Sequence, residues 1–315
     1  VTVLAVDLGG TTARLALADV KGTHCSFIRQ AEFSSSDYPD IETMLAGFLE
    51  GAGAPGAACL AVAGPVTGNR ARITNLPWIV DAQSLAGRFG IGPVKLINDM
   101  AGIAYSIPAL GADAMVSLQS GTADPAGARA LIAAGTGLGQ GILLPDEDTL
   151  RALPTEGGHV DFAPRNHTQA QMLEYLQQRH KHVSYERVVS GPGLETIYAF
   201  LNGMNEPELG AAEISSRALD DGDSVALQAL DLFVDVYGAQ AGNLALSCLA
   251  TGGVYVAGGI APKILPRVVE DHRFAKAFVD KGRMSDLLRD ISVTLITHPS
   301  PGLLGAAIAA GSLSW

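Results

Sequence analysis

Near the start of the chain, Asp7-Leu8-Gly9-Gly10-Thr11-Thr12 combines a carboxylate, a glycine turn and two hydroxyls. Asp7 ends the apolar run 3–6, where a carboxylate cannot stay buried without a partner. Beside a glycine turn, that carboxylate is suited to a hydrated Mg²⁺. Gly9 and Gly10 let backbone N–H groups approach phosphate oxygens, and Thr11 and Thr12 add donors. The plainer alternative is a tight hairpin with a solvated aspartate. A second glycine turn, Gly135-Thr136-Gly137-Leu138-Gly139, and a pair, Gly258-Gly259, lie far downstream. Two facing glycine hairpins would grip a triphosphate from both sides, and the pair would admit the flat face of a nucleobase. The alternative is three unrelated tight turns. No G-x-x-x-x-G-K-[ST] occurs, so a P-loop is excluded. The turn at 135–139 lacks the third glycine of a dinucleotide fingerprint, and a strand pattern rather than a helix follows it.

The remaining candidates are polar groups at the ends of apolar segments. Asp99 stands where the apolar run 94–97 meets a small-residue helical stretch, so its carboxylate lies at a helix N-terminus, which favours the ionised form. Ordinary capping is the alternative for both Asp99 and Asn98. Glu156 and His159 flank Gly157-Gly158 in a loop, and a carboxylate with an imidazole suits a polyhydroxylated ligand. No cysteine or second histidine cluster lies near His159 in sequence, which argues against a metal site. Glu186, within Ser184-Tyr185-Glu186-Arg187, reads as a first-turn helix carboxylate that spacing alone does not select.

These residues need elements to hold them. The apolar runs 3–6 and 13–18 around the first glycine turn predict a hairpin with a buried first strand. Ile41, Met44, Leu45, Phe48 and Leu49 recur at helical spacing over 40–50. Strands are expected at 57–63, 94–97, 130–134, 140–144, 254–257 and 293–296. Helices are expected at 84–89, 100–107, 169–178, 193–201, 224–249 and 302–313. This alternation predicts α/β domains. Residues 73–78 read as a loop, and the Gly-, Ala- and Asp-rich stretch 111–127 follows a domain boundary at 108–111. The two glycine hairpins hint at an internal duplication that sequence similarity is too weak to establish.

Composition narrows the function classes. The 315 residues suffice for two cored domains, and 48% hydrophobic with 17% charged residues excludes a disordered chain. A net charge of −11 argues against nucleic acid or an anionic membrane as the main partner, but not against ATP, since backbone dipoles make a site locally positive. Cys25, Cys59 and Cys248 are far apart in apolar surroundings and read as reduced core thiols of a cytoplasmic protein. The uncharged stretch 236–262 is long enough to span a bilayer. Its Gln240, Asn243 and glycine pairs fit a helix followed by a glycine-flanked strand better. The first strand opens almost at residue 1, so neither a leader nor a DNA-binding extension is expected.

Taken in order, AVDLGGTTARLAL, LAVAGPV, ITNLPW, LINDM, AAGTGLGQG, LPTEGGHVDFAP, SYERVVSGPGL, GGVYVAGGIAPKIL and HPSPGLLGAA span nearly the whole chain. This set resembles the bacterial glucokinase family. The resemblance implies a two-domain actin-like ATPase (ribonuclease H-like) fold. A cleft would separate a small domain, 1–107 plus 299–315, from a large domain, 108–298. It implies ATP-dependent phosphorylation of glucose at the 6-hydroxyl in a homodimer, with Mg²⁺ near Asp7, partly through water. It makes 7–12 and 135–139 the phosphate elements and 254–260, with Gly258 and Gly259, the adenosine element. Asn98, Asp99, Glu156, His159 and Glu186 become sugar contacts, with Asp99 the catalytic base. Glu156 and His159 are expected away from the glycine hairpins.

Two positions depart from related patterns. A similar repressor and kinase group carries a cysteine-rich zinc motif after its E-G-G-H; this chain has no cysteine there, so zinc is not expected. Val6 and Thr12 replace the Gly and Asn that many members carry. The alternatives are a kinase for another hexose or an N-acyl amino sugar, a sugar-sensing regulator of similar fold, and an actin- or chaperone-like ATPase.

Overall fold

In the computed structural model, which describes residues 1–74, 76–146, 149–204 and 207–313, the first glycine motif closes an antiparallel hairpin. Its strands are β1 (Thr2–Leu8) and β2 (Thr12–Lys21), with Asp7 opposite Arg14. There follow β3 (His24–Ser34), α1 (Ile41–Leu49), β4 (Ala57–Val62), the short strands β5 (Val66–Thr67), β6 (Arg70–Arg72) and β7 (Ile79–Asp81), α2 (Ala82–Phe89), β8 (Val94–Asn98) and α3 (Asp99–Ser106). The chain continues through β9 (Met115–Gln119), β10 (Arg129–Ala134), β11 (Leu138–Asp146), β12 (Thr149–Thr155), α4 (His167–Gln177), α5 (Gly191–Leu201) and α6 (Ala211–Leu219). It ends with α7 (Ser224–Cys248), β13 (Val254–Ala257), α8 (Leu265–Val269), α9 (Arg273–Val279), α10 (Ser285–Arg289), β14 (Val293–Ile296) and α11 (Pro301–Gly311). Contacts divide it into two units: Val1–Asp113, Asp146–Pro154 and His298–Trp315, and Ala114–Pro145 with Thr155–Thr297. Asn75, in the quoted motif ITNLPW, lies outside the described residues.

In the first unit the sheet order is β3-β2-β1-β4-β8, with β1, β4 and β8 parallel. Strand periodicity divides β1 between two cores. Leu4, Val6 and Leu8 pack with Ile41, Met44, Leu45 and Phe48 of α1. Val3 and Ala5, with Ala16, Ala18, Ala57, Cys59 and Ala61, pack with Leu303 to Ala310 of α11. The α11 face is built largely of alanines, so the helix lies close to the sheet. Asp7 continues the series 3, 5, 7 onto this face, where it meets the first turn of α11. A Cβ built on Gly302 would lie 2.8 Å from the Asp7 carboxylate.

The second sheet has the order β12-β11-β10-β13-β14-β9. β10 and β11 form an antiparallel hairpin around the second glycine turn, and β10, β13 and β14 are parallel. From hairpin to parallel strands, the order and directions of β2-β1-β4-β8 recur in β11-β10-β13-β14. The buried helix α7 packs behind this sheet, and its Tyr237 hydroxyl accepts from Ala134 N at 3.2 Å and lies 3.2 Å from Ala257 O. One side chain thereby ties down the ends of β10 and β13, immediately before the second turn and the glycine pair.

Several expectations change. The stretch 111–127 contains strand β9, which pairs antiparallel with β14 at the sheet edge. The region 66–81 holds a small three-stranded sheet, β5-β6-β7, around the loop expected at 73–78. β3, β12, α6 and α8 to α10 are further elements beyond those read from the sequence. Cys59 is buried, whereas Cys25 and Cys248 are half-buried rather than core thiols. No helix among the described residues is long and apolar enough to cross a membrane.

α3 and α11 cross at Gly102 and Gly305, where a Cβ on Gly305 would fall 1.6 Å from Gly102 O. Helix propensity favours alanine over glycine by about 1 kcal/mol. Overpacking against backbone, which cannot rotate away, costs up to about 3 kcal/mol. Gly305→Ala is therefore expected to lose about 2 kcal/mol net. This should read as a lower denaturant midpoint at unchanged slope; an unchanged or higher midpoint would contradict the close crossing.

Candidate active site

The first unit brings Asp7, Asn98 and Asp99 together. Asn98, at the end of β8, is the N-cap of α3: Met100 N donates to Asn98 Oδ1 at 2.8 Å and also to Asp99 Oδ1 at 2.8 Å. The capping role is thus realised by Asn98, and Asp99 is the first helical residue. Burial pushes the Asp7 carboxyl up to about 6; Arg14 opposes that shift and the Asp99 charge adds to it. The hairpin turn is closed by Gly9 N donating to Thr12 O at 2.9 Å. Buried Ser35, which the sequence reading did not single out, braces it by donating from N to Thr11 O at 2.8 Å and from Oγ to Gly9 O at 3.0 Å. Leu8 is buried beneath, Gly9, Gly10 and Thr12 are half-buried, and Thr11 is exposed.

The second unit gathers the other candidates around the turn at 135–139. Gly135 N donates to Gly137 O at 2.9 Å, and Gly191 N, at the start of α5, donates to Gly135 O at 2.8 Å. Gly258, at φ +89, sits so tightly on Ala134 that a Cβ would lie 2.2 Å from its carbonyl oxygen. The second turn and the glycine pair are therefore neighbours, with Thr136 and Gly259 exposed at their tips.

Glu186 joins this turn: its Oε2 accepts from Leu138 N at 2.9 Å. Its other oxygen, Oε1, lies 3.8 Å from His159 Nδ1, and His159 Nε2 lies 3.8 Å from Glu156 Oε2. The side chains of Glu156, His159 and Glu186 are 85%, 58% and 31% exposed, so the trio is open to a ligand. The loop 156–159 packs on the second turn, where a Cβ on Gly158 would fall 2.0 Å from Leu138 O. This corrects the expectation that Glu156 and His159 lie away from the glycine hairpins. The close approach of two glycine-bearing backbones is the reason, and the glycines of E-G-G-H were its signal.

No group of three or more His, Cys, Asp or Glu that could hold a metal ion occurs among the described residues. A Mg²⁺ carried by nucleotide phosphates needs only one or two protein carboxylates and completes its shell with water. The Asp7 carboxylate fits that donor set, since its raised pKa marks a site where added positive charge is favourable.

The fold is a two-unit α/β architecture of the actin-like ATPase class, in which sugar kinases are structural neighbours. The crystal structure of a glucokinase from an Antarctic psychrotroph superposes with a TM-score of 0.87 at 33% identity, covering 99% of each chain. A ROK family glucokinase from Streptomyces griseus, solved with glucose and AMPPNP, shares the fold with a TM-score of 0.69 at 21% identity, covering 99% of this chain and all of that one (100%). The family model described as Glucokinase matches residues 4–313. The curated glucokinase of Nostoc sp. (strain PCC 7120) is 42% identical, over 98% of this chain and 99% of its own length. The chain belongs to the glucokinase family, enzymes that phosphorylate glucose.

Asp7 gives a pH test. Its pKa is near 3.9 when unfolded and about 6 when folded, so between these values the native state binds more protons and stability falls as pH rises. Above pH 6 the ionised group opposes folding by about 2–3 kcal/mol, the equivalent of two pKa units. Asp7→Asn should therefore stabilise the fold at pH 7 by about that amount, with the gain vanishing as pH falls to 4. Denaturant midpoints of parent and variant at both pH values check this; an equal difference at pH 4 and pH 7 would contradict it.

Proposed function

We propose that this chain transfers the γ-phosphoryl group of ATP to the 6-hydroxyl of D-glucose, with Asp99 as general base. The observation that carries this reading is the Glu186–Leu138 hydrogen bond at 2.9 Å, which makes a polyhydroxyl-binding trio and a phosphate-type glycine turn one rigid piece. Asp99 accepts the 6-hydroxyl proton as that oxygen attacks phosphorus. The transition state of such transfers is loose, so positioning and charge neutralisation outweigh full deprotonation. Backbone N–H groups of the two glycine turns, at 10–12 and 136–137, face the phosphoryl oxygens, those of Gly9 and Gly135 being used to close the turns, and the Gly258-Gly259 pair adjoins the nucleoside. Asn98, Glu156, His159 and Glu186 hold the ring so that one hydroxyl is in line. Asp7 would hold a Mg²⁺ ion, which when bound would supply neutralisation of phosphate charge. The active form is a cytoplasmic homodimer, as family resemblance implies.

Asp99→Asn keeps shape and hydrogen bonding and removes the base. Its kcat should fall by about 10²–10⁴, the range for loss of general-base catalysis, while glucose affinity changes far less. Steady-state rates with equilibrium glucose binding check this; near-normal turnover would sink the assignment.

The two glutamates should separate by position. Each loses a charge-assisted bond to sugar on substitution by Gln, weakening glucose binding by about 1.5–3 kcal/mol. Glu186→Gln should also shift sugar-free ATP affinity, because Glu186 holds the second turn, whereas exposed Glu156→Gln should not. Calorimetric titration of both variants with each ligand is the check, and unchanged glucose affinity in both would contradict the sugar-site reading.

A further inference from the structure

Lys281, just beyond α9, reaches back over α7. Gly242 makes room for it, since a Cβ there would lie 2.8 Å from Lys281 Cε. The neighbouring carboxylate of Asp280 is paired with Arg165, and Lys281 Nζ donates instead to Ala239 O at 2.9 Å and to Asn243 Oδ1 at 2.6 Å. Burial, then the Arg165 charge, bring the Lys281 pKa down to about 8, with Asp280 opposing, so at pH 7 the group is still an ammonium. An ammonium donates and cannot accept, so it admits only the oxygen end of the Asn243 amide. The nitrogen end is thereby turned the other way. There Asn243 Nδ2 donates to the Tyr185 hydroxyl at 3.0 Å and to Oε1 of buried Gln240 at 2.9 Å.

Tyr185 is buried between the two segments that carry sugar candidates. Its hydroxyl is also hydrogen-bonded to the Ala163 backbone, its N donates to Val160 O at 3.1 Å, and its ring meets Phe162 edge-on at 5.6 Å. Phe162 N donates in turn to Val183 O at 2.9 Å. His159 immediately precedes Val160, and Glu186 immediately follows Tyr185. The pairing of these two segments therefore sets how far apart the two side chains stand, with His159 Nδ1 3.8 Å from Glu186 Oε1.

We propose that Lys281 is a positioning residue for the sugar site: it orients the Asn243 amide that holds the Tyr185 hydroxyl, and so sets the spacing of Glu186 and His159. This rests on the reading of Glu186 and His159 as sugar contacts. The bond from Leu138 N to Glu186 Oε2 lies outside this chain of contacts, so the effect is confined to sugar and spares ATP.

The test is calorimetric titration with glucose and with ATP, together with steady-state rates, all at pH 7, for the parent, Lys281→Met, Tyr185→Phe and the double variant. Methionine removes the donor and keeps an unbranched stem; phenylalanine removes the hydroxyl and keeps the ring against Phe162. In each single variant the glucose KM and Kd are expected to rise at least fivefold, with kcat within threefold and ATP Kd within twofold of the parent. Residues that act through one another are non-additive, so the double variant is expected to bind glucose within twofold of the weaker single variant. A purely structural role would lower kcat through loss of active protein and leave the glucose KM unmoved. That result, unchanged glucose affinity in either single variant, or effects that multiply in the double variant overturns the proposal. Glu186→Gln, titrated in parallel, separates the two readings. Unchanged glucose affinity in Glu186→Gln removes the sugar contact itself. Weakened affinity there, with Lys281→Met and Tyr185→Phe binding glucose like the parent, removes only the positioning role.

Discussion

A carboxylate near the end of β1, with a second at the start of the helix that follows β8 in the same sheet, constrains everything around the first glycine turn. Asp7 follows Val3 and Ala5 onto the face that packs α11, where burial raises its pKa, Arg14 opposes that rise and the Asp99 charge adds to it. Burying an acid is unfavourable; Arg14 offsets part of that cost, and Gly302 leaves the space the carboxylate occupies at the first turn of α11. The same close fit runs along the helix to the Gly102–Gly305 crossing. The strain on Asp7 is what a cation would relieve, so packing and proposed chemistry depend on the same few atoms.

The second unit solves its own positioning problem through backbone proximity. Tyr237 pins the ends of β10 and β13, which sets the 135–139 turn beside Gly258. Glu186 and the 156–159 loop then dock on that turn. Four segments distant in sequence become one surface: glycines let Gly258 and the 156–159 loop pack where a Cβ would otherwise stand, and the Glu186 side chain accepts from Leu138 N.

Segments with an unambiguous apolar pattern were legible in the sequence. β1, β4, β8, β10, β13, α1 and α7 all carry such patterns, and the ends of β1, β8 and β13 fixed the positions of Asp7, Asp99 and Gly258. β3 was not legible because its packed residues, Cys25, Phe27, Ala31 and Phe33, are only half-buried and a register shift against β2 breaks its alternation around Ile28. β9 hides among small and acidic residues, and α8 to α10 are five to seven residues long, too short for periodicity to show. Glu186 was beyond local reasoning altogether. Its role comes from an N–H of Leu138, 48 residues away. Ser35 is a similar case, a polar residue whose importance lies in two carbonyls of a distant turn.

The central claim is that these surfaces serve one reaction, phosphoryl transfer from ATP to the 6-hydroxyl of glucose. Initial rates on a panel of hexoses and N-acyl amino sugars with ATP and Mg²⁺, with the phosphate position of each product read by ³¹P NMR, test it most directly. The account predicts the highest kcat/KM for glucose and a single product phosphorylated at position 6. A higher kcat/KM for another sugar, phosphate at another position, or ATP hydrolysis without sugar phosphorylation would contradict it.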